Sequence, residues 1–275
     1  MILNNKNAII YGAGGSLGGA IARALAGAGA RVFLAGRNLA PVKKVADEII
    51  AFGGSAEAGQ VDALDEKAVN NHIKDVLQKA GTIDISFNVI GLQVVQNMPL
   101  VEMTVADFVR PVNIAMQSHF LTATAAAKVM MKQKSGVILS LTATPGGIGY
   151  PFTAGFAPAC CAIESLSRNL AAELGIYGIR VVNIRSGGSP DSEVFASAIA
   201  AHPGVMGPLI REMEGDTMLK KLPLMADITN VAVFLASAMA GGITGVTVDV
   251  SCGTTAGLNY KVAGSDHTVG PLEPK

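Results

Sequence analysis

Charge is scarce in this chain of 275 residues. Only 15% of positions are charged, and 21 basic side chains balance 21 acidic ones. Without a basic excess there is no electrostatic footprint for nucleic acid or an anionic membrane, so neither is expected as a partner. Cysteine is sparse too: Cys160, Cys161 and Cys252. An adjacent pair plus one makes a poor disulfide framework and suits a reducing compartment. No uninterrupted apolar run reaches bilayer-spanning length. Met1–Lys6 lacks a basic region leading into an apolar core, which predicts a cytoplasmic protein. No His/Cys/carboxylate set has ligand spacing, so no metal is expected. Two local absences say more. No Asp or Glu occurs from Met1 to Ala46, and no Lys lies between Lys134 and Lys220.

What is present is an alternation of short apolar runs and longer helical patterns. Strands are predicted at Asn7–Tyr11, Arg31–Ala35, Ser55–Val61, Ile83–Asn88, Gly136–Leu141, Arg180–Ile184 and Gly245–Val250. Helices are predicted at Ser16–Ala28, Leu39–Phe52, Asp65–Lys79, Thr104–Lys132, Thr153–Leu174 and Ile228–Ala238. Strands separated by helices imply βαβ units, hence a doubly wound parallel sheet covered on both faces. Gly81, Gly136, Gly178 and Gly245 stand where helix caps or turns are due. One domain is expected over residues 1–253. Residues 186–222 break the rhythm and suit a lid-like insertion over the carboxyl edge of the sheet. The polar tail 254–275 is expected to be disordered or laid across a neighbouring subunit.

The first strand runs into Gly12-Ala13-Gly14-Gly15-Ser16-Leu17-Gly18 and then a helix. Glycines let a backbone approach a pyrophosphate, and the helix start offers free N–H groups and a positive dipole end. At the end of the second strand, an NAD-selective site places a carboxylate for the ribose 2′-hydroxyl. Here the chain reads Gly36-Arg37-Asn38. A guanidinium fork suits a 2′-phosphate, so NADP(H) is expected ahead of NAD(H). The alternative is an exposed loop arginine.

These features resemble the short-chain dehydrogenase/reductase family over about residues 5–253, and the expected fold is its Rossmann sheet. The family turn T-G-x-x-x-G-x-G is matched from Tyr11 to Gly18, with Tyr11 for Thr and Ser16 for the middle Gly. Asp62, followed by Ala63, resembles the adenine-contacting Asp, and Asn88-Val89-Ile90-Gly91 stands for N-N-A-G. Ile243-Thr244-Gly245 and Val248-Asp249-Val250 resemble the last-strand pattern. The resemblance implies cofactor contacts from Gly12, Gly14, Ser16, Leu17, Gly18, Arg37, Asn38, Asp62, Ala63 and Asn88.

The family reaction relies on a Tyr, a Lys four residues later on the same helix face, a Ser, and an Asn in the preceding long helix. The matching positions hold Phe156, Cys160, Ala143 and Asn113, so only the Asn is retained. Phe and Ala carry no proton to give, and Cys is too short to reach a ribose. Thr142 and Tyr150 are candidate substitutes, each weighed against a packed role. Cys160 is read as a small buried thiol. His119 is read as a core or interface residue, and His202, Asp191 and Glu193 as solvated groups of the insertion. Two functions follow. One is an atypical oxidoreductase transferring hydride without Tyr or Lys. The other is a non-redox nucleotide sensor or scaffold, or an isomerase- or cyclase-type activity. A small-molecule partner is implied, and family helices dense in Ala and Met, here Ala123–Ala127 and Val129-Met130-Met131, imply a homotetramer or homodimer.

Overall fold

The computed structural model describes residues 1–256. Seven strands form one parallel sheet: β1 (Asn7–Tyr11), β2 (Arg31–Gly36), β3 (Ser55–Gln60), β4 (Ile85–Asn88), β5 (Gly136–Ala143), β6 (Ile179–Ser186) and β7 (Thr247–Val250). Their spatial order is β3-β2-β1-β4-β5-β6-β7. The chain winds outward from β1 through β2 to β3, then returns to β4 on the other side of β1. The order reverses between β1 and β4, and a crevice opens there outside the carboxyl ends of the strands. Tyr11 pairs in register with Ala35 on one side and Asn88 on the other. That register brings the ends of β2 and β4 to the same level as the glycine-rich turn.

Alternation along β1 splits the interior into two layers. Ala8 and Ile10 pack with Ile21 and Leu25 of α1 (Ser16–Gly27), Val42 and Ile49 of α2 (Leu39–Ala51), and Ile228 of α8 (Met225–Ala236). Ile9 and Tyr11 pack with Val69 and Ile73 of α3 (Glu66–Ala80), Ala126 and Met130 of α4 (Val105–Gln133), and Leu174 of α5 (Phe156–Leu174). Apolar side chains on both faces are what a covered parallel sheet requires.

Local signals set most element ends. Asp65 caps α3 by accepting from the backbone N–H groups of Lys67 and Ala68, and Gly81 ends it at φ 76°. Gly136 differs from its expected role: it opens β5, and Lys134 is the left-handed cap of α4, at φ 58°. Helix α5 starts at Phe156 rather than Thr153. Phe152 and Ala154 take left-handed backbone there, so the three preceding residues form a turn. Helix α8 starts three residues early because Asp227 accepts from the Leu224 N–H at 2.9 Å.

The insertion carries α6 (Glu193–Ala201) and α7 (Pro203–Gly215). Phe195 and Met213 close over Gly188. Residues 254–256 form a turn, and the rest of the tail lies outside the described residues.

Candidate nucleotide-binding and catalytic site

A cleft of about 430 Å³ opens at the crevice between β1 and β4. Its floor is the glycine-rich turn. Gly12 sits at φ 84°, and a Cβ there would lie 2.5 Å from the Val89 carbonyl oxygen. A Cβ on Gly18 would run into the Gly12 carbonyl. Bare backbone at both places lets α1 begin directly under the turn and beside the β4 loop. Gly14 and Gly15 line the cleft, while Gly18 is packed beneath it and Leu17 joins the first apolar layer.

Arg37 and Asn38 form one wall. Gln60 donates to the Arg37 carbonyl at 3.0 Å, fixing the loop, while the Arg37 side chain is exposed and makes no ion pair among the described residues. Asp62 and Ala63, just past the neighbouring strand β3, also line the cleft, with Asp62 accepting from the Leu64 N–H at 3.0 Å. Asn88 is buried and acts indirectly. Its amide donates to Thr122 at 3.0 Å and its oxygen accepts from the Ile90 N–H at 3.1 Å, which shapes the Val89–Gly91 edge of the cleft. Ser16 has another partner. Its hydroxyl oxygen accepts from the Glu193 N–H at 3.1 Å, so the insertion reaches the start of α1.

Phe156, Cys160 and Ala143, the residues expected at the family's proton-relay positions, lie on the other side, around β5 and α5. Phe156 opens α5 and packs with Ile90 against a cluster of Leu92, Ile114, Ala115, Ala159 and Ile163. Cys160, one turn on, is fully buried, and burial pushes its thiol up to about 11, so it is protonated at neutral pH. Ala143 ends β5. Thr142 is buried with its hydroxyl in use. It donates to Glu164 Oε1 at 3.0 Å and accepts from Asn183 Nδ2 at 2.7 Å. Asn113 is exposed on α4, two residues past Pro111. Tyr150 is partly exposed. Partial burial, with Asp216 and Glu212 of the insertion nearby, raises its phenol pKa.

His119 is a core residue: Nδ1 lies 2.9 Å from the Ala115 carbonyl, and burial lowers its pKa to about 4. His202 is exposed at the junction of α6 and α7. Asp191 accepts from the Met225 N–H at 3.0 Å, fastening the insertion to α8.

Behind the β5–α5 wall runs a polar network that the sequence reading missed. Arg185 on β6 grips Glu164 with two bonds, Nη2 to Oε2 at 2.6 Å and Nε to Oε1 at 3.0 Å. A third bond, at 3.3 Å, reaches Asp249 on β7. Ser140 donates to Asn183 at 2.8 Å and extends the chain inward. The available signals were a carboxylate one turn past Cys160 on a buried helix face and a guanidinium inside an apolar strand. Neither names its partner without the strand register that sets Thr142 beside Arg185.

A family model described as enoyl-(acyl carrier protein) reductase matches residues 12–255. The chain is 32% identical over 258 residues to the 7alpha-hydroxysteroid dehydrogenase of Escherichia coli, covering 94% of this chain and 97% of that one. It is 29% identical over 259 residues to the 2,3-dihydro-2,3-dihydroxybenzoate dehydrogenase of Bacillus subtilis, covering 93% and 98%. The crystal structure of an NAD⁺-bound xylitol dehydrogenase superposes with a TM-score of 0.85 at 26% identity, over 92% of this chain and 100% of that one. With a reversing seven-stranded sheet, a glycine-floored cleft at its switch point and these matches along nearly its whole length, the chain belongs to the short-chain dehydrogenase/reductase family of oxidoreductases.

Proposed function

We propose that this family member binds NADP(H) in preference to NAD(H) and does not use the family's Ser–Tyr–Lys proton relay. One observation carries the cofactor reading: at the end of β2 the cleft wall is an exposed Arg37 that makes no ion pair among the described residues, with no acidic residue anywhere before Asp47. Gly12, Gly14 and Gly15 give the backbone close approach, and Asp62 and Ala63 line the cleft just past the strand beside Arg37. When bound, the cofactor supplies or accepts hydride. The residues at the relay positions contribute shape: Phe156, Ala143 and a protonated Cys160 exclude water and move no proton at neutral pH. The Thr142 hydroxyl already donates its hydrogen bond to Glu164, which leaves Tyr150, or the substrate's own acid, as the donor at the carbonyl oxygen. The named relatives act on hydroxysteroid, dihydrodiol and polyol compounds, and the substrate here is read as a small molecule of unspecified class.

Calorimetric titration of both cofactors is the test. NADP⁺ should bind roughly 10- to 150-fold tighter than NAD⁺, since a charge-assisted bond contributes about 1.5–3 kcal/mol. Arg37→Ala should erase the preference. Equal affinities in the unmodified protein would overturn the reading. The non-redox alternative draws on the packing of Phe156 into an apolar cluster, and cofactor turnover across a carbonyl and alcohol panel decides between them.

Assembly as a homotetramer or homodimer belongs to the same proposal. Phe120 on α4 is exposed, and beside Leu121 it borders a groove against α3. Light scattering should give an oligomer mass; a concentration-independent monomer mass would eliminate this part.

A further inference from the structure

We infer that the cleft draws its nucleotide affinity almost entirely from the adenosine half, so that adenosine 2′,5′-bisphosphate binds about as tightly as full NADP⁺; this rests on the NADP(H) reading above. Three independent features support it.

The first is the extent of the cleft. Its walls come from the β1 turn, the end of β2 and start of α2, the end of β3 and the Val89–Gly91 loop, and it stops at Gln93 and Ile114. No lining residue comes from β5, α5, β6 or the insertion. A volume of about 430 Å³ is at the small end of the range for drug-sized ligands. Ile114 is itself part of the cluster that includes Ile163 and takes up Phe156, so the far wall is side-chain packing.

The second is the start of α1, where anion-binding N–H groups are usually free. The Ser16 hydroxyl there accepts from the Glu193 N–H at 3.1 Å and donates to the Met225 sulfur at 3.4 Å. Asp191 holds the Met225 N–H at 3.0 Å. The insertion is therefore fastened at this helix end by a segment carrying two carboxylates, Asp191 and Glu193. Like charge discourages a further phosphate at that point.

The third is the distribution of cations. Arg37 is exposed on the adenosine side and makes no ion pair among the described residues. On the other side no lysine occurs between Lys134 and Lys220, and Arg185 is held by Glu164 and Asp249. A nicotinamide riboside half gains no free polar partner from Phe156, Cys160 or Ala143, yet ordering it carries an entropic cost. Binding energy is concentrated at the 2′-phosphate and the adenosine.

The test titrates the full chain calorimetrically with NADP⁺, NAD⁺, adenosine 2′,5′-bisphosphate, AMP and nicotinamide mononucleotide. We expect NADP⁺ and the bisphosphate to differ by less than tenfold, and nicotinamide mononucleotide neither to bind nor to displace the bisphosphate. NADP⁺ binding at least tenfold tighter than the bisphosphate overturns the inference while leaving the NADP(H) preference intact. NAD⁺ and AMP matching their 2′-phosphorylated counterparts overturns the preference for a 2′-phosphate, and in that case AMP within tenfold of NAD⁺ supports capture through the adenosine while a weaker AMP overturns it. No binding by any of the five overturns both.

Discussion

The two ends of the sheet's carboxyl edge use their polar groups in opposite ways. Around β1, β2 and β3 the edge is open: bare glycine backbone, an Arg37 that makes no ion pair among the described residues, and an exposed Asp62 face a cleft. Around β5, β6 and β7 the polar groups are engaged with one another. Ser140, Asn183, Thr142, Glu164, Arg185 and Asp249 form one bonded chain, and the surface toward Phe156 is apolar. A buried donor or acceptor that already has its partner adds rigidity to a site and has little left for a ligand. One half of a binding edge can thus stay receptive while the other is built as interior.

The largest expected effect follows from that closed half. Each missing acid–base group commonly contributes about 10²–10⁴-fold. Turnover of simple ketones and alcohols at pH 7 should fall at least about 10⁴-fold below that of a relative carrying the Ser, Tyr and Lys. Brisk steady-state turnover would break the contrast outright.

Next comes the network itself. Glu164→Ala leaves the Arg185 guanidinium poorly paired in a mostly buried site. Breaking a buried pair from one side costs about 3–5 kcal/mol, readable by urea denaturation. A loss below about 1 kcal/mol would mean that the pair is solvated like a surface bridge. Nucleotide affinity should stay within about twofold if the folded fraction is maintained, because the two halves share no polar contact.

A more gradual effect is pH-dependent. Burial lowers His72 and His119 to about 4, in each case against an ordinary value of 6.5. Between those values the unfolded chain binds more protons than the folded one, so unfolding free energy rises with pH across the window. The contribution is complete above about pH 6.5 and is lost on acidification toward pH 4. The slope is at most about 1.4 kcal/mol per pH unit for each histidine. Denaturant midpoints at pH 4.5 and 7 measure it, and identical midpoints would contradict it. His119→Gln should flatten the slope by about half, since Nε2 has no hydrogen-bond partner among the described residues.

The smallest effect should come from Phe156→Tyr alone. Catalytic groups that act as a unit are strongly non-additive. With Cys160 and Ala143 in place, the restored phenol has no lysine to lower its pKa and no serine beside it. Carbonyl turnover should rise less than about tenfold; a larger gain would show that the closed half is one residue from function.

Much of the open half was legible in the sequence. Gly12, Gly14, Arg37, Asn38, Asp62 and Ala63 lie within a few residues of strand ends, and a parallel sheet delivers strand ends to one edge. Four other residues expected at the cofactor, Ser16, Leu17, Gly18 and Asn88, are not among the residues that line the cleft. Leu17 and Gly18 turn inward to packing, and the Ser16 hydroxyl meets residue 193, a contact that sequence distance hides. The closed half was legible only as a set of substitutions. Thr142, a candidate hydroxyl donor by sequence, is already bonded on both sides once β5 lies beside β6.

The sequence by itself determined the alternation of strands and helices, the glycine turn, the cation at the end of β2 and the presence of Phe156 and Cys160 at the start of α5. These are properties of single residues and short periods, fixed by local conformational preference and chemistry. Tertiary structure alone decided that Glu164 would be gripped by Arg185, that Phe156 would complete an apolar wall, and that residue 193 would be fastened to Ser16. Each of those depends on strand order and register, which bring together residues 21, 42 or 177 positions apart and so cannot be read from neighbours in the chain.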